Sequence, residues 1–420
     1  MTINSVAAGI IVARWLGAEG LGQLAVINVA VATIVQLGSA GLPSANTYFI
    51  AQDKRNLSPA AINSLLFALL VGSLLALGLT GLAAWRPGWF GFISPRLLGV
   101  ASISIPFQLV TLVGLNIFLA VGRVGRFNLL DLAGQSFVLI NAVVALAVLN
   151  AGLWTLISLN TAASVLIGLL IAVLVAAYGL KMKERRAWRP DLQLFGRMMR
   201  YGVKFHVSIV AAMLIFRVDL LLVNHIRGAG QAGVYSVASQ VAMMLMLLPS
   251  VIATLLFPRI ASAPEERRSE MTCVVTRHTA FIMLIICLLT LPLSLALPLL
   301  YGAAFVDATV QLWLLLPGVY LVSIESVLAQ YFSASGLPIA IPLFWMATLV
   351  VNVALNIALV PGFGARGASL ASTIAYAMIF VLVMLYFRRR TGHSISSTIF
   401  LRAAELRGLL KVRRFGTLSR

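Results

Sequence analysis

Apolar segments long enough to cross a membrane follow one another along almost the whole chain. A bilayer core needs about 20 apolar residues per helix, so the sequence has room for about 12 spans. Only 10% of the 420 residues are charged, against roughly 25% in a soluble domain. The sequence therefore predicts an all-α integral membrane protein and excludes a soluble enzyme or a disordered chain. We place the spans near residues 3–16, 22–50, 59–84, 97–121, 127–149, 154–180, 201–225, 233–258, 277–301, 309–335, 338–360 and 367–387.

The basic residues predict the orientation of these spans. With the N-terminus inside, the inner loops and tail hold 25 Lys and Arg residues and the outer loops hold 5. Such an asymmetry is typical of the positive-inside rule and places both termini in the cytoplasm. The net charge of +19 is explained in this way, so we expect no nucleic-acid partner.

Cysteine and histidine give no sign of a metal or cofactor site. Cys273 and Cys287 lie in or near one apolar segment, and the four histidines have no ligand spacing. We therefore expect no cofactor and no metal. A nucleotide-binding P-loop motif is also missing from the sequence.

An internal repeat relates the two halves of the chain at an offset of 211 residues. Gly17, Ala18, Gly22 and Val26 match Gly228, Ala229, Gly233 and Val237, and Asn141, Ala147, Ser158 and Leu159 match Asn352, Ala358, Ser369 and Leu370. Six predicted spans in each half give both halves the same orientation. This indicates a parallel repeat about an axis along the membrane normal, with a cleft between two lobes.

The repeat also predicts the domain organisation. We expect an N-terminal six-helix lobe at 1–180, a basic cytoplasmic linker at 181–200, a C-terminal six-helix lobe at 201–387 and a basic cytoplasmic tail at 388–420. The first span is short, because only 16 residues precede Gly17 while a full span precedes Gly228. We expect helix one to lack about ten residues relative to its partner in the second half, which shortens it by about 15 Å at 1.5 Å of rise per residue.

Three segments resemble a known family. They are ARWLGAEGLGQLAV (13–26), FRVDLLLVNHIRGAGQAGVYSVA (216–238) and NVALNIALVPGFGARGASLASTIAY (352–376). They are similar to the Wzx-type polysaccharide biosynthesis flippases of the multidrug/oligosaccharidyl-lipid/polysaccharide exporter (MOP) superfamily. The resemblance covers essentially the whole chain, and its glycine-rich turns are more specific to the superfamily than to its branches.

The resemblance implies both a fold and an activity. The fold is a V-shaped, MATE-like bundle of two lobes that works by alternating access. The activity is translocation of a polyprenyl-pyrophosphate-linked oligosaccharide, a repeat unit of a cell-surface polysaccharide, from the cytoplasmic to the outer leaflet. The expected setting is the plasma (inner) membrane of a bacterium or archaeon. The expected partners are the lipid-linked glycan, membrane lipids and a glycan polymerase with its co-polymerase, and the transporter itself is expected to be a monomer.

Ionisable residues at membrane depth are costly, so they are the candidate functional residues. On one helix, His206, Arg217 and Asn224 would share a stripe that lines an aqueous cleft, where arginine could bind phosphate. Alternatively, Arg217 pairs with Glu325 and only holds the lobe together.

Two carboxylates in the second half are candidates for ion coupling. Glu325 lies in the middle of a span, and could couple transport to protons or Na⁺ or serve as a structural ion-pair partner. Asp219 could line the cleft or stabilise helix packing.

Two further candidates lie nearer the membrane surfaces. Asp131, with Asn128 and Gln135 on nearly the same face, could form a cytoplasmic mouth of the cleft or an interfacial salt bridge. Arg14 could line the cleft or extend to the interface.

Other functions remain as alternatives. The first is an ion-coupled multidrug or metabolite antiporter of the same superfamily, although arginine rather than acidic residues in the cleft favours an anionic substrate. The second is a membrane glycan polymerase or glycosyltransferase. An enzyme would usually carry a sizeable outer loop, whereas the largest one here, residues 86–96, has no carboxylate. We therefore predict a transporter rather than an enzyme.

Overall fold

The computed structural model of the protein describes residues 3–90, 93–180, 189–336, 338–401 and 405. Within these residues, every regular element is helical. The helices are α1 Ile3–Gly38, α2 Leu42–Gln52, α3 Leu57–Trp85, α4 Pro95–Ser102, α5 Ser104–Ala120, α6 Val124–Ala142, α7 Leu153–Leu180, α8 Leu192–Ile215, α9 Val218–Arg227, α10 Ala229–Leu245, α11 Leu247–Ser262, α12 Glu265–Leu293, α13 Leu297–Tyr301, α14 Val306–Ala334, α15 Ala340–Phe363, α16 Ala365–Thr391 and α17 Ile395–Ile399.

Leucine-rich helix surfaces that face outward identify the protein as a multi-pass membrane protein. On α3, Leu70, Leu74 and Leu77 are 67–70% exposed, while Ala60 and Ala68 on the same helix are fully buried. Small residues inside and large apolar residues outside are what packed helices in lipid require, because lipid tails are as apolar as leucine.

The number of spans is close to the prediction of about 12. Among the described residues, ten helices are long and apolar enough to cross a membrane, or eleven if α8 and α9 count as one bent span. The difference arises at α1, which runs through both the predicted first span, 3–16, and most of the second, 22–50. Its 36 residues would be about 54 Å long if straight, more than one bilayer core.

Two equivalent glycines mark the same turn in each half. Gly17 breaks α1 with φ 68° and ψ −169°, and Gly228 separates α9 from α10 with φ 90° and ψ 171°. These conformations belong to the left-handed side of φ/ψ space, which glycine enters without steric cost. The repeat read from the sequence is therefore present in the backbone.

The second span ends earlier than expected. The helix stops at Gly38, Gly41 takes φ 76°, and a separate helix α2 follows. A Cβ on Gly41 would lie 2.2 Å from the Gly202 carbonyl oxygen. The turn is therefore fixed by close packing against α8, which a hydropathy pattern does not reveal.

The helices form two compact units. The first contains Met1–Val237, Pro298–Asp307 and Ile357–Ala368. The second contains Ala238–Leu297, Ala308–Asn356 and Ser369–Arg420. The predicted lobe boundaries differ from these bounds and stay a prediction. Residues 181–188 of the predicted linker and most of the tail (402–404 and 406–420) lie outside the described residues.

Candidate functional site

A polar cavity lies within the first unit, among α1, α4, α5, α6 and α7. Its volume is about 230 Å³. It is larger than the ~30 Å³ that one water molecule occupies in the liquid, and smaller than most drug-sized pockets of ~300–1,000 Å³. Its lining is Leu24, Ile27, Asn28, Val31, Ala101, Ser104, Gln108, Gly134, Phe137, Val138, Asn141, Ile157, Asn160, Thr161, Ala163, Ser164 and Ile167.

Amides and hydroxyls supply all the polar side chains of this cavity. The Asn141 amide donates to the Asn160 side-chain oxygen across α6 and α7 at 2.9 Å. The Gln108 amide donates to the Ser104 hydroxyl at 3.0 Å within α5. No aspartate, glutamate, lysine, arginine or histidine is among the described lining residues. The cavity can therefore exchange hydrogen bonds without favouring either sign of charge.

The α6 wall of the cavity ends in an irregular backbone. Residues Val143–Val148 form a π-helical segment, and Asn150 follows with φ 47°. Single π-helical turns are rare and occur frequently at functional sites. Asn141 thus lies directly before a segment whose geometry departs from the regular helix.

Arg14 and Asn224 each donate side-chain hydrogen bonds to backbone carbonyl oxygens within the first unit. The Arg14 guanidinium donates to the Leu299 and Leu300 carbonyl oxygens, the latter at 2.8 Å. The buried Asn224 amide donates to the Phe90 carbonyl oxygen at 3.0 Å. At the repeat offset of 211, Asn224 and Phe90 correspond to Arg14 and Leu300 to within one residue. A role for either residue in a substrate cleft stays a prediction.

The expectation that span seven is one continuous helix is wrong. It bends by 40° between α8 and α9, and Arg217 at the break has φ −133°. Because the helix is broken at Arg217, the spacing of His206, Arg217 and Asn224 no longer determines whether they share a face, and their common stripe stays a prediction. Asp219 explains the new start, because an acidic residue stabilises the first turn of a helix.

The residues of span seven have different surroundings. Asp219 is 2% exposed and accepts hydrogen bonds from the Tyr235 hydroxyl and, at 2.7 Å, from the Leu220 backbone N–H. Arg217 is half-buried. His206 Nε2 lies 3.3 Å from the Leu37 carbonyl oxygen, and its buried Nδ1 has no partner among the described residues.

Asp131 lies on α6 and is half-buried. Its carboxylate accepts a hydrogen bond from Gln135 at 2.6 Å, which agrees with the shared face expected from the sequence. Asp131 does not line the polar cavity, and among the described residues it forms no ion pair. A role at the mouth of a cleft stays a prediction.

Glu325 lies on α14 in the second unit. Its side chain is 2% exposed, and Oε1 has no hydrogen-bond partner among the described residues. None of the ion pairs among those residues includes it. A buried carboxyl group without a partner is costly to ionise and unusual in a purely structural position.

Most residues of the polar cavity were missed by sequence reasoning. Of these residues, the sequence pattern points only to Asn141, through its repeat partner Asn352. In the second unit, Thr348, Asn352 and Asn356 are fully buried at four-residue spacing on α15, and each has an unpartnered polar atom among the described residues. Amides recurring at helical spacing in both halves are the signal that could have indicated these positions.

Comparisons with known proteins agree with this fold. A family model described as "Polysaccharide biosynthesis protein" matches residues 8–264, more than half of the chain. No curated protein is similar enough in sequence to match.

Several solved structures share the fold at low identity. One is an inward-facing multidrug resistance MATE family transporter of the MOP superfamily, with 15% identity, TM-score 0.79, and coverage of 93% of this chain and 95% of that one. Another is the lipid II flippase MurJ in an inward closed conformation, with 15% identity, TM-score 0.73, and coverage of 100% and 91%. A third is a MOP superfamily transporter from Pyrococcus furiosus, with 17% identity, TM-score 0.65, and coverage of 93% and 92%.

Proposed function

Because the chain belongs to the polysaccharide biosynthesis protein family, we propose that it translocates a polyprenyl-pyrophosphate-linked oligosaccharide across the plasma membrane. The movement is from the cytoplasmic to the outer leaflet, by alternating access. The protein is a transporter and performs no covalent chemistry on the glycan. A glycan polymerase and its co-polymerase would then consume the translocated units.

The observation that carries the proposal is the uncharged polar cavity of the first unit. Sugar hydroxyls both donate and accept hydrogen bonds, and the amides of Asn141, Asn160 and Gln108 can do the same. A site that selects organic cations would instead be expected to place a carboxylate in the cavity. The neighbour named as a lipid II flippase gives further support to a lipid-linked substrate.

The proposal is tested by deleting the gene and measuring surface glycan and lipid-linked repeat units together. We expect surface glycan to fall and lipid-linked units to accumulate on the cytoplasmic face, with both restored by the intact gene. Unchanged glycan and unchanged lipid-linked units would contradict the proposal.

Glu325 favours a second candidate function, an ion-coupled antiporter of drugs or metabolites. Its buried, unpartnered carboxyl oxygen is a group that could bind a proton or Na⁺ during transport. In the same deletion strain, altered drug or metabolite efflux with normal surface glycan would favour this candidate over the flippase.

A further inference from the structure

A second cavity in the first unit lies between the start of α6 and the end of α7. Its volume is about 610 Å³, within the range of pockets that hold small molecules. Its wall combines two arginines, one tyrosine and four aliphatic residues: Arg123, Arg126, Leu129, Leu130, Leu174, Ala177 and Tyr178.

Both arginines make cation–π contacts with the same aromatic ring. The Cζ atoms of Arg123 and Arg126 lie 5.8 Å and 5.9 Å from the centroid of the Tyr178 ring. Cation–π contacts of this kind hold guanidinium groups in place without neutralising them. The cavity therefore has two positioned cations on one side.

No carboxylate in the described residues neutralises this pair. The ion pairs of those residues involve neither arginine. The nearest acidic residue along α6 is Asp131. It is not part of the lining, and its carboxylate accepts a hydrogen bond from Gln135. The charge of the site favours an anion.

The surroundings of the cavity are apolar and outward-facing. Leu129 is 67% exposed and Leu132 is 53% exposed on α6, and Val173 is 63% exposed on α7. Large exposed aliphatic side chains of a membrane protein contact lipid tails. The cavity is therefore reached from the bilayer, and the positive-inside count predicts that its arginines lie at the cytoplasmic leaflet.

We propose that this cavity binds an anionic glycerophospholipid of the cytoplasmic leaflet. The Arg123 and Arg126 guanidinium groups bind the phosphate, for which bidentate arginine contacts are well suited. Leu129, Leu130 and Leu174 contact the upper part of an acyl chain. Basic pockets between transmembrane helices at this depth are known sites for anionic lipid headgroups. The site goes beyond the proposed function and does not depend on it.

The test uses the purified full-length protein and native mass spectrometry with phosphatidylglycerol. We expect the apparent affinity for phosphatidylglycerol to fall at least about tenfold in Arg123→Gln/Arg126→Gln, because each basic residue near the membrane surface contributes appreciably to binding an anionic lipid. Phosphatidylcholine, which has no net charge, should bind weakly to both proteins.

The matched control is Arg86→Gln/Arg96→Gln, which removes the same charge from a loop predicted to lie outside. It should bind phosphatidylglycerol like the unmodified protein. If the first variant folds poorly, Ala177→Phe fills the cavity and keeps both arginines. The Ala177→Phe variant should also bind phosphatidylglycerol more weakly, because Ala177 is an exposed residue that lines the cavity and a larger side chain there occupies its space.

Three results would overturn the proposal. The first is equal affinity in the arginine variant and the unmodified protein. The second is an equal loss in the control pair, which would indicate a general effect of charge. The third is displacement of phosphatidylglycerol by a lower concentration of undecaprenyl phosphate, which would assign the cavity to a polyprenyl lipid instead.

Discussion

At the scale of single residues, two glycines determine how closely α1 and α10 approach. A Cβ on Gly22 would lie 1.8 Å from the Ala229 carbonyl oxygen, and a Cβ on Gly233 would lie 1.9 Å from that of Ala18. The two contacts are reciprocal at the repeat offset of 211. Each helix contributes a small residue four positions before its glycine, the pattern that allows membrane helices to pack backbone to backbone.

We expect Gly22→Leu to destabilise the protein by about 1–3 kcal/mol or more, because the larger side chain must separate α1 from α10. Gly78→Ala is the control, since nothing lies within 4 Å of a Cβ at that position. The melting temperature in detergent checks the prediction. Equal values for the two variants would show that the close approach contributes little.

The hydrogen bond between Asn141 and Asn160 links α6 to α7 inside the polar cavity. We expect Asn141→Leu to reduce transport, since it leaves the Asn160 oxygen unpaired at a cost of about 1–3 kcal/mol and removes a group that can bind sugar hydroxyls. Asn116→Leu is the control, because among the described residues that amide donates a hydrogen bond only to the Leu112 carbonyl oxygen of its own helix. The readout is surface glycan in the deletion strain at matched protein levels. Full restoration of glycan by Asn141→Leu would count against the cavity as the substrate site.

At the scale of secondary-structure elements, the end of the described chain is attached to α12. Arg277 on α12 is 3% exposed and donates to the Ser397 carbonyl oxygen and to the Glu405 carboxylate, both at 2.6 Å. Arginine buried to this extent requires a partner for its charge. The tail prediction placed residues from 388 onward in the cytoplasm without indicating any attachment.

Removal of the Glu405 carboxylate should destabilise the second unit. We expect Glu405→Ala to lower stability by about 1–3 kcal/mol, because Arg277 then keeps a buried charge without its ion-pair partner. Glu19→Ala removes an exposed carboxylate and serves as the comparison. Thermal unfolding of the two variants tests the prediction, and an unchanged midpoint in Glu405→Ala would contradict it.

Hydropathy predicted the helices well and their interruptions poorly. The span expected at 154–180 is α7, Leu153–Leu180, because one continuous apolar run is enough to determine it. The break at Arg217 and the stop at Gly38 depend on contacts with other helices, which residue spacing does not contain. The amides of the polar cavity are not predicted for a related reason, since neutral side chains in an apolar segment produce no charge pattern.

At the scale of the whole molecule, the chain is built from two related halves. Gly17 and Gly228 take the same turn, and Asn141 and Asn352 occupy equivalent buried positions. The six spans predicted for each half would give both halves the same orientation, as in transporters with parallel repeats. The predicted placement of both termini in the cytoplasm follows from this arrangement together with the basic loops.

Cysteine labelling can test this orientation, because Cys273 and Cys287 are both buried and should react little. In intact cells, a membrane-impermeant maleimide should label Gly88→Cys and leave Gly125→Cys unlabelled until the membrane is opened. A Cβ at either glycine meets nothing within 4 Å, so both variants should fold. The reverse labelling pattern would place the termini outside.

The central claim is that the protein moves a lipid-linked oligosaccharide between leaflets. Its most direct test reconstitutes the purified protein in liposomes with the lipid-linked repeat units that the deletion strain accumulates. A glycosidase added outside then measures the accessible fraction of the glycan over time. We predict that the protein raises this fraction above the outer-leaflet share, and that Asn141→Leu raises it more slowly than Asn116→Leu. An accessible fraction equal to that of protein-free liposomes, under proton and Na⁺ gradients of either direction, would contradict the account.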